Sequence, residues 1–284
     1  MMPNIWPFRR ARPVVSVLRM AGVISPAGRP FRGALSLPAL ATSIEHAFAM
    51  RGVRAVALAI NSPGGSPVQS ALIARRVRVL ARENDLPVFA FIEDVAASGG
   101  YWLACAADEI FADRSSIVGS IGVVSAGFGF ADAIKKLGVE RRLHTQGRYK
   151  AILDPFRPED ADEVQRLSII QKDIHEAFKD HVRDRRGKRL KGDDAALFEG
   201  EIWTGGQARA LGLIDGLGDM RTILRERFGD KVRLRPVAPP RRWFRQRLGL
   251  GLGLGGLAGA DSGDLIAGLL DAVEARALWA RYGF

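Results

Sequence analysis

One cysteine, Cys105, stands in a chain of 284 residues, so no internal disulfide can form. It lies in an Ala-rich apolar run from Trp102 to Ala107, where a buried small hydrophobe is the expected role rather than a reactive thiol. Long apolar stretches are missing as well. Val14 to Val17 is soon followed by Arg19, and Leu248 to Ala260, made only of Gly, Leu and Ala, falls short of the roughly 20 residues a spanning helix needs. A basic start with no apolar run behind it gives no signal sequence and no transmembrane helix, and a cytoplasmic location follows as the expectation. Histidine is scarce too. None of His46, His144, His175 and His181 stands at metal-ligand spacing from Asp, Glu or Cys, which argues against a zinc hydrolase.

Acidic residues are outnumbered: 31 Asp and Glu face 42 Lys and Arg, a formal charge of +11. The excess is clustered. Four arginines fall in residues 9–19, six basic groups against one acid in 183–191, and seven basic groups without an acid in 231–247. The last cluster contains Trp243 and Phe244, a mixture suited to an anionic membrane surface, with a plain solvated face as the alternative. No nucleic-acid motif accompanies the charge, so nucleic acid is not an expected partner.

A chain 47% hydrophobic and 26% charged is globular, and it divides into three parts. Residues 1–13 form a basic N-terminal segment, 14–235 one α/β domain, and 236–284 a basic, Gly/Leu-rich linker with a short helix over 264–281. Within the domain, a strand is predicted over 14–24 and an amphipathic helix over 34–50. The nearly continuous apolar run 54–60 predicts a strand buried on both faces, followed by the turn Asn61-Ser-Pro-Gly-Gly65 and a helix over 68–83. A strand over 87–92, a loop through Asp94 and a helix opening at Ser98-Gly-Gly100 repeat the unit. Further strands are predicted at 109–112 and 140–145, and helices at 128–137 and 159–186. Strands alternating with helices imply a mainly parallel sheet, since parallel strands need crossovers.

A peptide-bond hydrolase needs a nucleophile, a base and donors for the oxyanion. Ser98 precedes two glycines at a predicted helix start, where backbone can approach a substrate and the first amides are free. The turn at 61–65 supplies a second set of amides, so those of Gly65 and Gly99 are the candidate oxyanion hole. For the base, Lys150 has the apolar neighbours Tyr149, Ala151, Ile152, Leu153 and Phe156, which can desolvate an amine. A snorkelling surface lysine is the competing reading, and His144 is a competing base that would need an orienting acid.

Five motifs in order, Asn61-Ser-Pro-Gly-Gly65, Ala96-Ala-Ser-Gly-Gly-Tyr-Trp-Leu-Ala104, Ala107-Asp-Glu-Ile-Phe-Ala112, Gly119-Ser-Ile-Gly-Val123 and Gly147-Arg-Tyr-Lys150, resemble those of the signal peptide peptidase A (protease IV) family. Gly205-Gly-Gln-Ala208 and Gly212-Leu-Ile-Asp215 resemble its closing segment, so the likeness covers roughly residues 14–228. The resemblance implies a Clp protease/crotonase-like fold with a stacked, mainly parallel β core, flanking helices and, in this chain, a helical C-terminal extension. It implies serine endopeptidase activity on apolar peptides such as signal-peptide remnants or membrane-associated polypeptides, with no metal or cofactor, in a ring-shaped homo-oligomer. Ser98 falls on the nucleophile, Lys150 on the general base, and Ser120 on the serine that orients the lysine amine. Many members begin with a spanning segment that is not seen here, which fits peripheral contact at the inner membrane face. The Gly-Leu run 248–260 itself resembles an apolar substrate and reads either as an internal plug for a catalytic groove or as a linker. Two other functions fit parts of the pattern: a catalytically idle membrane-surface scaffold, and a crotonase-like acyl-CoA enzyme that uses paired amides for thioester chemistry.

Overall fold

The structure, a computed structural model, describes residues 12–26, 34–237 and 276–283. The predicted linker and the plug segment 248–260 lie outside the described residues. Eight strands form one sheet: β1 (Val14–Ala21), β2 (Val53–Ser62), β3 (Val88–Ala97), β4 (Glu109–Ala112), β5 (Ile117–Gly119), β6 (Ile202–Thr204), β7 (Gly216–Leu217) and β8 (Arg233–Pro236). The order is β6-β5-β3-β2-β1-β8, with β4 beside β3 and β7 beside β4, and every pairing is parallel except β5 with β6. The helices are α1 (Leu37–Ala49), α2 (Pro67–Glu83), α3 (Gly99–Ala104), α4 (Ala131–Lys136), α5 (Ala161–Arg186), α6 (Asp194–Leu197), α7 (Gly205–Ala210) and α8 (Met220–Phe228). This is the mainly parallel α/β class expected from the alternation.

Side-chain alternation along the central strands builds two cores. Val56, Leu58 and Ile60 of β2 and Val88, Ala90 and Ile92 of β3 face the layer of α1, α2, α3 and α5. Ala55, Ala57, Phe89 and Phe91 face the opposite side, where Leu224 of α8 covers them and Phe91 stacks on Phe111 at 5.5 Å. The helices start where their capping residues stand. Ser66 accepts from the Gln69 amide and Pro67 follows in the first turn, while Asp160 accepts from the amides of Asp162 and Glu163.

Two expectations are corrected. The polar pair Glu93-Asp94 reads as a loop, yet β3 runs through it to Ala97. Asn61 explains why: at an irregularity between β2 and β3, its side-chain amide donates to Asp94 at 2.6 Å and its carbonyl accepts from the Val95 amide at 3.2 Å. Those bonds carry the strand across the irregularity, and Val95, Ala96 and Ala97 beyond it are fully buried. The predicted strand 140–145 is absent, because that segment is exposed and has no neighbouring strand to complete a ladder. The lengthening of β3 matters most for the site: residues 89–92 pair with β4, and residues 95–97 go on to pair with β5.

Candidate active site

At the end of β3 the chain leaves the sheet through a turn that L residues seldom make. Ser98 has φ 52° and ψ −122°, a conformation that costs of order 1–3 kcal/mol in a non-glycine residue. Its amide donates to the Gly119 carbonyl at 2.8 Å, and its carbonyl accepts from the Trp102 amide at 3.0 Å. The hydroxyl makes no capping bond to α3 and stays half-exposed. The backbone is thus fixed from both sides, while the hydroxyl has no hydrogen-bond partner among the described residues.

The glycine turn passes directly against this serine. A Cβ on Gly64 would lie 2.8 Å from both the Ser98 Cβ and the Ala97 carbonyl oxygen, and the residue has φ +102°, so only glycine fits. Ile24 anchors the turn: its amide donates to the Gly64 carbonyl and its carbonyl accepts from the Ser66 amide, both at 2.8 Å. The amide of Gly65, between them, takes no part in that bridge. Gly99 opens α3, where the first amide has no intrahelical acceptor. A Cβ built on Gly99 would stand 3.4 Å from the Gly65 nitrogen, so the Gly65 amide lies against Gly99, the residue after Ser98.

Ser120 leaves the neighbouring strand at the same level, since Ala97 pairs with Gly119. It too has positive φ, 51°, and its amide donates to the Glu201 carbonyl at 2.6 Å. Its hydroxyl accepts from Tyr282 at 3.4 Å, and a cleft of about 400 Å³ opens there between Gly200, Glu201, Ile202, Arg281 and Tyr282. Nothing in the sequence points to Tyr282 as a neighbour of this site.

Lys150 is placed differently. From Val124 to Lys150 every residue except Ala131 and Ile134 is exposed, Lys150 sits in a turn closed by its own amide on the Gly147 carbonyl at 3.2 Å, and among the described residues no hydrogen bond joins it to Ser98 or Ser120. Of the apolar neighbours expected to desolvate it, Tyr149 and Phe156 are themselves 38% and 39% exposed. This arm is held to α5 by the buried Glu163, which pairs with Arg157 and accepts from the Leu153 amide. His144, the competing base, is exposed on the same arm.

The closing motif serves the helix behind the nucleophile. Arg186, with a side chain 1% exposed, pairs with Asp215 at 2.7 Å, and Asp215 also accepts from the Ile110 amide at 2.7 Å. Burial raises the Asp215 carboxyl, but the Arg186 guanidinium and the Ile110 amide outweigh it and hold the group below the usual carboxylate range. Tyr101 of α3 donates to the Leu213 carbonyl at 2.7 Å. Cys105 is fully buried, and burial pushes its thiol up to about 11, which suits the inert role expected of it. Trp102 stacks on Phe178 and His181 of α5 at 4.7 and 5.1 Å, and burial lowers the His181 imidazole to about 4.

Residues 81–231 match the model of peptidase family S49. The chain belongs to this family. An S49 relationship also accounts for the proteins it resembles. It is 34% identical to the chloroplastic serine protease SPPA of Arabidopsis thaliana over 74% of this chain and 31% of that protein. It is 32% identical to a Synechocystis protein named as a protease, over 86% of this chain and 87% of that one. A Brucella abortus protein named as the Na(+)/H(+) antiporter NhaA is 52% identical across 97% of this chain, which spans 38% of its length. Among the described residues no helix is long and apolar enough to cross a membrane.

Proposed function

We propose that this chain is a serine endopeptidase acting on apolar peptides through a Ser98–Lys150 dyad. The observation that carries the reading is Ser98 itself: a strained serine at a strand end, its hydroxyl without a hydrogen-bond partner among the described residues, followed by Gly99 with the Gly65 amide against it. The Ser98 oxygen attacks the peptide carbonyl carbon as its proton passes to the neutral Lys150 amine. The resulting oxyanion takes hydrogen bonds from the Gly65 and Gly99 amides, and collapse expels the amine leaving group with the proton that lysine returns. Water then hydrolyses the acyl-enzyme by the same relay, and Ser120 orients the lysine amine.

A lysine serves as a base only once shielded from water. The exposed Lys150 therefore needs a cover that the described residues do not give it, and a second copy is the cover we propose. Large exposed apolar side chains support it: among the described residues all of them except Val68 and Ile202 fall within residues 124–170, including Phe128 at 82% and Leu137 at 77% exposure. A homo-oligomer closing on that arm buries those side chains and dries the amine.

Ser98→Ala and Lys150→Ala each abolish cleavage of an internally quenched apolar peptide while melting temperature is kept; full activity in either variant refutes the dyad. Mixing the two dead variants asks where the lysine comes from. Partial recovery on mixing means that one copy's serine uses the other's lysine, and a dead mixture means that both act within one chain.

A further inference from the structure

The basic clusters that look alike in sequence differ in what they face. In residues 183–191, Arg183 pairs with Asp180 and Asp194, Arg185 with Asp108, and Arg186 and Arg189 with Asp215. Their charge is used inside the fold. At the far edge of the sheet the situation is reversed. A cleft of about 390 Å³ is lined by Arg221 and Arg225 from α8 and by Val232, Arg233, Leu234 and Arg235 from β8 and the residue before it. All four arginines are exposed, and none has an acidic partner among the described residues. Arg221 and Arg225 stand one helical turn apart on α8, and Arg233 and Arg235 share one side of β8.

Leu234 packs toward α8, so Arg233 and Arg235 leave β8 on its other side, and the four unpaired arginines together concentrate positive charge along one edge of the sheet. Charged residues on an edge strand also deter edge-to-edge pairing, and β8 is such a strand, bonded only to β1. That role needs charge on the strand alone and leaves the second pair on α8 without a purpose. Guanidinium forks match phosphate oxygens in geometry as well as charge. The chain then continues through Arg241, Arg242, Trp243, Phe244 and Arg245, a basic and aromatic composition that suits a membrane interface better than a free anion.

We propose that this sheet-edge cleft binds the phosphate headgroups of an acidic phospholipid and seats the protein on an anionic membrane surface. The proposal is independent of the peptidase chemistry, since the cleft lies on β8 and α8 whereas Ser98 follows β3. Sedimentation of the full chain with vesicles of phosphatidylglycerol in phosphatidylcholine tests it. Each basic residue near an acidic surface contributes about a factor of five in binding, so Arg221→Gln/Arg225→Gln and Arg233→Gln/Arg235→Gln should each weaken binding about 30-fold. Lys188→Gln/Lys191→Gln, the same charge change at exposed residues of the other cluster, should weaken it less than fivefold. Equal loss in this control, wild-type binding by both cleft variants, or wild-type protein that ignores the vesicles overturns the proposal. So does competition by inorganic pyrophosphate at concentrations matching the lipid phosphate, which would make a free anion the ligand.

Discussion

Replacing Gly64 by alanine tests whether the glycine turn positions the nucleophile or merely connects two elements. The new Cβ would meet the Ala97 carbonyl oxygen and the Ser98 Cβ at 2.8 Å and the Gly99 nitrogen at 2.9 Å. These are backbone atoms or a Cβ, so no flexible side chain can step aside. Reaching ordinary contact at 3.4 Å requires a shift of about 0.6 Å (3.4 less 2.8 Å), and that shift falls on Ser98 and on the neighbouring oxyanion amide. Misplacing a reacting group by about 1 Å costs on the order of 10²-fold in rate, so a loss of ten- to a hundredfold in kcat is expected. Alanine at positive φ also costs about 1–2 kcal/mol of stability, and this must be separated from the steric effect. Gly52→Ala is the control: its φ is +76°, and a Cβ there meets nothing within 4 Å. Both variants should melt at lower temperature than the wild type, and only Gly64→Ala should lose peptide cleavage and the rate of Ser98 labelling by a fluorophosphonate. If Gly64→Ala labels and cleaves within twofold of Gly52→Ala, the turn does not hold the nucleophile in place.

Asp215→Ala leaves the Arg186 guanidinium buried without its counter-charge and should destabilise the fold by about 3–5 kcal/mol, read from the urea midpoint at constant slope. Because the Asp215 carboxyl titrates below its ordinary range in the fold, its contribution is present above the unfolded value near 3.9 and fades as pH falls through the lower folded value; Asp215→Asn should flatten that acid limb. His181 has the same sign for a different reason. Burial holds its imidazole neutral down to about 4 against about 6.5 unfolded, so the unfolded state binds the extra proton between those values and stability falls as pH drops through that window. His181→Gln should show a smaller drop in melting temperature from pH 7 to pH 5 than the wild type, and an equal drop would mean that the imidazole does not titrate in this way.

Elements whose partners are local were legible in the sequence. β2 was readable because a strand buried on both faces is apolar without alternation, and α2 because Leu72, Val77 and Leu80 recur at helical spacing. The continuation of β3 was hidden, since it depends on Asn61 reaching Asp94 and Val95 from a strand more than thirty residues earlier. For the same reason the Arg186–Asp215 pair escaped notice: each residue alone looks like ordinary surface charge, and only the fold makes the guanidinium a buried cation. The 140–145 prediction failed in the opposite sense: Glu140-Arg-Arg-Leu-His-Thr145 contains a single β-forming residue, Thr145, and no strand lies beside it among the described residues. At the candidate site, Ser98, Gly65 and Gly99 stood out through the ordered series of motifs, since a tight turn between strand and helix needs glycine for its own sake. Tyr282 beside Ser120 carries no such mark.

The fold treats the two halves of the candidate dyad in opposite ways. Ser98 is over-determined: a fully buried strand end precedes it, the Gly119 carbonyl and the Trp102 amide fix its backbone, and α3 behind it is pinned by Tyr101 on Leu213 and by stacking on α5. That rigidity sustains a strained φ at Ser98. Lys150 rides on an arm whose rings touch one another and nearby arginines but stay largely exposed among the described residues. A nucleophile must be placed to a fraction of an ångström, and the core of one chain can do that. A lysine base must above all be dry, and dryness can be supplied by whatever closes over it. On the proposed dyad reading, the serine stays unactivated until the arm that carries Lys150 is covered.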